Sequence, residues 1–593
     1  MPRAPGVAHD APMIDRAIET AWGHAVAFLD RSRRINVVDL LVLLGIAGLF
    51  FGGARVAQEW QGPLRPAVQI DLSPGALPRY AFYSLSRAVL AYVLSLGFTL
   101  VYGYWAAKDR VAERVLIPLL DVLQSIPVLG FMPGLVLALV ALFPRTNVGL
   151  ELAAVLMMFT GQVWNMTFSY HHSLRSVPRD LEEVATVYRY GWWQRLKRVE
   201  LPFATTGLVW NSMMSMAGGW FFLMINEAFV LGDRDFRLPG LGSYMSVAVA
   251  RGDAGAMAWA VLAMVAMIVL LDQLVWRPAV VWSQRFRVEE SAGTETATSW
   301  FLGWLRRSGV LRGLVRSLPR LEREAARVVP RQRPPALPAS GRRRWTLVLS
   351  TAAFVGLLGL LAFGSWRLVM LLRAQPPLRW LVLLGAALAT LLRVLVATAL
   401  GTLWTLPVGL AIGLSPRLSR VLQPVTQVAA SFPAPMLFPA VLALLHAAGV
   451  SLEAGSVVLM LLGTQWYILF NVVAGASSIP ADLREASRGY RLTRWQRFRT
   501  LYAPAVFPFL VTGWVTAAGG AWNASIVSEY VSFRGQVHTA WGVGAQISLA
   551  AQRGDFPALA AGVLVLSGLV VLLNRTVWRR CYRLAEERFA LNR

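Results

Sequence analysis

The chain has only two lysines in 593 residues, Lys108 and Lys197. Neither follows a glycine-rich loop of the kind that cradles a triphosphate, so no residue is placed to hold ATP. The six histidines lack metal-ligand spacing, the pair His171-His172 included. A single cysteine, Cys581, excludes an internal disulfide framework. No Ser-His-Asp constellation is inferable. Arg251-Gly252-Asp253 and Arg553-Gly554-Asp555 each precede an apolar run, which makes Asp253 and Asp555 helix N-caps. The expectation is a chain that is not an enzyme, with no catalytic, cofactor-binding or metal-binding residues. What remains is charge in unusual places. LREASRGYRLTRWQRFRTLYAP, Leu483 to Pro504, is a compact arginine-rich element between two apolar runs, and isolated ionisable groups sit inside other apolar runs.

The elements that position these groups are set by hydropathy. The chain is 56% apolar and 15% charged, with mean hydropathy +0.52. Runs of about 20 apolar residues suffice to cross a bilayer as helix. They recur near 36–56, 84–107, 113–143, 149–172, 203–230 and 257–276, then near 345–373, 380–413, 419–447, 453–473, 504–528 and 556–577. The fold class expected is an all-α polytopic membrane protein with about twelve spans. The net charge of +25 follows from arginines gathered before, between and after the runs. Arg/Lys-rich loops stay cytoplasmic, so the charge encodes topology rather than nucleic-acid binding. It places both termini inside. Residues 1–35 carry apolar positions at helical spacing and read as a cytoplasmic amphipathic helix. Segment 277–344 reads as a basic cytoplasmic linker, and 579–593 as a basic tail.

The second half repeats the first. At a shift of 302 positions, Pro178, Asp180, Glu183, Tyr188 and Arg189 become Pro480, Asp482, Glu485, Tyr490 and Arg491. Trp193-Gln194-Arg195 becomes Trp495-Gln496-Arg497, and Pro202 becomes Pro504. The register continues through Glu227/Glu529, Gly242/Gly544 and Trp276/Trp578. Upstream a shift of 306 pairs Arg87 with Arg393, Pro127 with Pro433 and Pro133 with Pro439. Two parallel, homologous six-helix domains are expected, 36–276 and 345–578, related by an axis along the membrane normal.

Each copy of the charged element, 174–202 and 476–504, lies between the fourth and fifth spans of its half. Asp180 with Glu183, and Asp482 with Glu485, resemble the start of a capping box. Trp495, Phe498 and Leu501 recur every three residues while the arginines point elsewhere. The pattern predicts two short helices joined by a bend, after which Pro202 or Pro504 starts the next span. Topology alone does not require the same Glu, Tyr-Arg, Trp-Gln-Arg and Pro twice. A docking surface for a cytoplasmic partner does.

This element resembles the EAA loop of bacterial ABC-importer permeases. Glu183-Val184-Ala185 with Leu201-Pro202, and Glu485-Ala486-Ser487 with Ala503-Pro504, follow that pattern. Both copies replace its usual glycine, by Arg189 and Arg491. Gln124 to Pro127, Ser431 to Pro433 and the pair Glu227/Glu529 are similar to the nitrate/sulfonate/taurine/bicarbonate branch, with two permease domains fused in one chain. The resemblance implies a type I ABC-importer permease fold in the bacterial inner membrane. It implies that two ATPase subunits bind ATP and Mg²⁺, and that a periplasmic solute-binding protein delivers a small anion, on surfaces such as 57–80 and 232–255. It implies that Glu183 and Glu485 meet the ATPase, with Ala185 and Ser487 part of the same coupling element. Tyr188, Arg189, Arg195, Tyr490, Arg491 and Arg497 would hold it, Trp193 and Trp495 would anchor it, and Pro202 and Pro504 would close each loop. An ion-gradient-driven transporter with two six-helix halves is the alternative.

A charged group inside a span costs about 2.5–3.5 kcal/mol on insertion scales and usually faces a partner or water. Candidates for the translocation path are Arg87, Gln124, Pro127, Asn165, Glu227, Arg393, Pro433, Gln465, Asn523 and Glu529. For Glu227 and Glu529 a structural role, holding arginine or backbone groups of the following Gly-rich bend, is the competing expectation. The prolines predict broken third spans, because proline frees a carbonyl and bends the helix.

Overall fold

The computed structural model describes residues 36–63, 68–231, 234–286, 298–309, 311–312, 340–373, 375–533 and 536–589. The amphipathic segment expected at 1–35 and most of 287–339 lie outside the described residues. Helices dominate. The first half runs α1 (Val37–Gln61), α2 (Leu77–Phe98), α3 (Arg110–Ser125), α4 (Val128–Leu142), α5 (Val148–Arg175), α6 (Arg179–Val187), α7 (Trp192–Arg195) and α8 (Leu201–Asn226). A hairpin of β1 (Ala228–Leu231) and β2 (Arg234–Arg237) follows, then α9 (Leu241–Arg251) and α10 (Ala254–Leu271). After a short helix α11 (Trp300–Leu305) the order repeats. It runs α12 (Ser340–Leu372), α13 (Pro377–Leu414), α14 (Pro416–Ser431), α15 (Phe438–Ala447), α16 (Leu452–Ser477), α17 (Ala481–Gly489), α18 (Arg494–Arg497), α19 (Ala503–Ser528), β3 (Tyr530–Phe533), β4 (Gln536–Thr539), α20 (Val543–Gln552) and α21 (Phe556–Leu573).

Among the described residues eight helices are long and apolar enough to cross a membrane, or ten when each bent pair counts as one span. The 28-residue α5 and the 33-residue α12 are not in that count, which therefore falls short of the twelve spans expected. The third spans are not single rods: α3 and α4 meet at 95°, and α14 and α15 at 83°. Pro127 is the N-cap of α4, with extended backbone. Pro433 plays that part for the 3-10 turn Ala434–Leu437 that leads into α15. With no N–H to continue the preceding helix, proline ends it there.

Three boundaries differ from the sequence expectation. The 276/277 limit falls inside a helix, because a π-helical turn at Asp272–Trp276 passes directly into Arg277–Ser283. The second half copies this with Asn574–Trp578 and Arg579–Phe589, so most of the expected tail is helix. Pro202 does not open a separate helix either. A π turn at Leu196–Glu200 fuses α7 to α8, and Phe498–Tyr502 fuses α18 to α19. The wider i→i−5 pattern, Leu201 N–H to the Leu196 carbonyl, carries the helix into the segment where Pro202 has no N–H to give. Both hairpins were missed by the sequence reading, which had only a Gly-rich bend there. Asp253 and Asp555 do cap α10 and α21, accepting from Ala256 N–H (2.9 Å) and Ala558 N–H (3.0 Å).

Helix association within lipid gains little from the hydrophobic effect and relies on close packing of small residues. Gly409 and Gly413 show this. A Cβ on either would lie 2.6 Å from Val472 or Ala476 of α16. The halves also interlock. Asn523 of α19 accepts the Val128 N–H at the α3–α4 break (2.8 Å), and Gly130 of α4 leaves room for Val563 of α21.

Candidate functional site

Each charged element is a pair of short helices around a tight turn. Helix α6 ends in a Schellman turn: the Tyr190 N–H donates to the Ala185 carbonyl (2.9 Å) and the Arg189 N–H to the Thr186 carbonyl (3.0 Å). In the second copy Leu492 donates to Ser487 (3.2 Å) and Arg491 to Arg488 (2.9 Å). The turn needs a left-handed residue. Arg189 and Arg491 supply it at φ 50° and 51°, and among the described residues they are the only non-glycines with positive φ. Ala185 and Ser487 are buried beneath the turns. The left-handed well costs a side-chain-bearing residue about 1–2 kcal/mol. Arg189→Gly should therefore stabilise its turn by about 1 kcal/mol, after allowing for the greater freedom of glycine in the unfolded chain. The check is hydrogen exchange at Arg189 and Tyr190, which should slow by roughly fivefold.

Capping differs from the sequence expectation. Pro178 and Pro480 occupy the N-caps of α6 and α17, which puts Asp180 and Asp482 in the first turn, favourable to the helix dipole but not boxed. The capping residues are the glutamines of the Trp-Gln-Arg triplets. Gln194 accepts the Gly191 N–H (3.2 Å). Gln496 accepts the Thr493 N–H (2.8 Å) while Thr493 Oγ1 accepts the Gln496 N–H (3.3 Å). Around these rigid corners Glu183, Glu485, Tyr188, Tyr490, Trp193 and Trp495 are all exposed, the four rings by 61–80%. Arg195 is committed inward, to Glu182 (2.7 Å) and Glu200 (3.1 Å). Arg497 donates to the Leu492 carbonyl (3.0 Å).

Between the halves lies a cavity of about 260 Å³. Of the expected path residues, Gln124, Pro127, Asn165, Pro433 and Asn523 line it. Trp164 and Trp466 face it from equivalent positions, as do Gly218 and Gly520. Every lining residue is uncharged, so a solute there meets amides, hydroxyls and aromatic rings. Gln465 is not among them. It accepts the Trp404 indole N–H (3.0 Å).

Arg87, Glu227, Arg393 and Glu529 are away from this cavity. The fully buried Arg87 makes a bidentate pair with Glu151 (2.6 and 2.7 Å) and a bond to Glu227 (2.7 Å), and reaches the Pro239 carbonyl (2.9 Å). Glu227 also accepts from Ser84 Oγ (2.6 Å) and the Gly242 N–H (2.7 Å). In the second half Arg393 binds Glu529 (2.9 Å), Glu453 and the Trp541 carbonyl, with Thr390 in the place of Ser84 and Gly544 in that of Gly242. A Cβ on Gly242 or Gly544 would strike a main-chain carbonyl and the glutamate, which explains the repeated glycine. These networks tie the loop after each hairpin to the second and fourth spans of its half. Glu151 and Glu453 escaped the sequence reading, although the 302 shift pairs them and would have found them.

Two fused halves, each with this loop at one end, match a known pattern. The description "Binding-protein-dependent transport system inner membrane component" fits residues 99–277 and again 405–586. The chain belongs to this family. The permease is 30% identical to the nitrate import permease protein NrtB of Synechocystis sp. over 141 residues, 24% of this chain and 50% of that one. It is 27% identical to the putative aliphatic sulfonates transport permease protein SsuC of Bacillus subtilis over 145 residues, 24% and 49% of the two chains. With the bicarbonate transport system permease protein CmpB of Synechocystis sp. it shares 28% over 193 residues, 32% and 65%. The permease thus spans about half the length of the first of these relatives. It is a multi-pass, all-α membrane component of inner-membrane transport, a transporter part rather than an enzyme.

Proposed function

We propose that this permease is a fused two-domain membrane component of an ATP-driven importer. Two ATPase subunits, which hold ATP and Mg²⁺, seat on the loops around α6–α7 and α17–α18. Nucleotide-driven closure of the ATPases moves both halves, and the central cavity alternates between the two sides of the membrane. By the positive-inside rule the loops and both termini face the cytoplasm. A periplasmic solute-binding protein delivers the solute to the opposite end, where the hairpins lie.

The carrying observation is the duplicated corner: an exposed Glu, Tyr and Trp fixed around a left-handed Arg, in both halves. The relatives are named for nitrate, bicarbonate and aliphatic sulfonates, which supports a small anion as the solute. An uncharged cavity suits such a solute in transit, since neutral N–H donors can hold an anion without trapping it, and passage requires weak binding.

The test is Glu183→Arg combined with Glu485→Arg. ATP-dependent uptake into vesicles should fall to background, and the ATPase subunits should no longer copurify. Normal uptake by the double variant would remove the docking assignment.

A further inference from the structure

The two loops are alike in backbone and unlike in charge. Residues 179–202 carry five cations and four acids, residues 481–504 six cations and two acids. In the first loop the charges are largely spent internally. Glu200 is 1% exposed and binds Lys108 (2.7 Å) and Arg195 (3.1 Å), Arg195 also binds Glu182 (2.7 Å), and Arg198 lies over the Tyr190 ring. This brace joins the loop to the end of the second span. The second half has lost every acid in it. At the same shifts Glu182 becomes Arg484, Glu200 becomes Tyr502 and Lys108 becomes Leu414. Among the described residues no arginine of 481–504 makes an ion pair, and the buried Nε of Arg484 has no partner.

We infer that the two loops hold their ATPase subunits by different forces: the second docks electrostatically into an acidic cleft, whereas the first docks as a braced, nearly neutral element through its exposed rings and shape. This rests on the docking reading above. Exposed charges within about a Debye length, roughly 10 Å at 0.1 M salt, attract strongly at low salt and are screened as salt rises. Six arginines against two acids make the second contact salt-sensitive. In the first loop Glu182 and Glu200 cancel Arg195 and Lys108 before any partner arrives.

The single native cysteine makes the experiment direct. In a Cys581→Ser chain, Tyr188→Cys or Tyr490→Cys carries a photoreactive thiol label, and the chain is reconstituted in nanodiscs with the ATPase subunits that copurify with it. Crosslinking yield is followed from about 50 to about 500 mM KCl. The Tyr490→Cys yield should fall roughly tenfold and the Tyr188→Cys yield by less than about twofold. Parallel falls, or parallel constancy, overturn the inference while leaving docking intact. No crosslink from either position at low salt overturns docking itself. Adding Glu200→Gln to the Tyr188→Cys chain frees Lys108 and leaves Arg195 held by Glu182 alone, and should give the first loop a several-fold salt dependence. A flat profile there overturns the bracing role of Glu200.

Discussion

Arg87→Met should destabilise the permease by about 3–5 kcal/mol, the cost of removing one partner from a buried ion network. Arg87 is the only cation touching Glu151 and Glu227 among the described residues, and both carboxylates are fully buried. Without it each carboxylate must be neutralised, or remain charged in a medium that does not solvate it. The loss should appear as an earlier unfolding midpoint in detergent or nanodiscs. Arg393→Met should cost less, because the Glu453 side chain is 54% exposed and can rehydrate. The triple change Arg87→Met, Glu151→Gln, Glu227→Gln should recover part of the loss, since it leaves no uncompensated charge. An Arg87→Met chain that unfolds at the wild-type midpoint would show that the network carries no net stability.

Filling the cavity should stop transport without releasing the ATPase subunits. Gly218 and Gly519 line it from opposite halves and have room. A Cβ on Gly218 comes no nearer than 3.6 Å to the Tyr467 hydroxyl, and one on Gly519 meets nothing within 4 Å. Gly520, the repeat partner of Gly218, is a poorer choice because its Cβ would press on Thr464 at 3.2 Å. Gly218→Trp with Gly519→Trp places two indoles in the proposed solute route, and uptake should fall to background. The loops lie at the far end of these helices, so ATPase copurification should persist. Undiminished uptake would place the route elsewhere. Lost copurification would mean that the rings distort the helices instead of filling the space. Together with the loop reversal, this separates a blocked path from a lost drive.

Much of the fold was legible because its signals are local. An apolar run of spanning length has few alternatives, since each backbone N–H and C=O must be satisfied within the segment. The constant 302 shift then carried each feature of one half to the other. Asp253 and Asp555 were readable as caps because a cap depends on three neighbouring residues. Proline marked the breaks in the third spans but gave no angle. The two hairpins had no such signal, since four-residue strands partly rich in charge look like any outer loop.

The sequence by itself determined that long apolar helices recur, that the unit is doubled and where the charged corners lie, because all three follow from periodicity and composition along the chain. Only the tertiary structure decided what the charges inside the helices do. Arg87 is 64 residues from Glu151 and 140 from Glu227, and no local pattern says which of them a buried guanidinium will meet. Helix packing made that choice, and it placed the ion networks beside the hairpins and the uncharged residues around the cavity. It also turned Arg189 and Arg491 into left-handed corner residues, a conformation that Schellman closure imposes against the preference of the side chain.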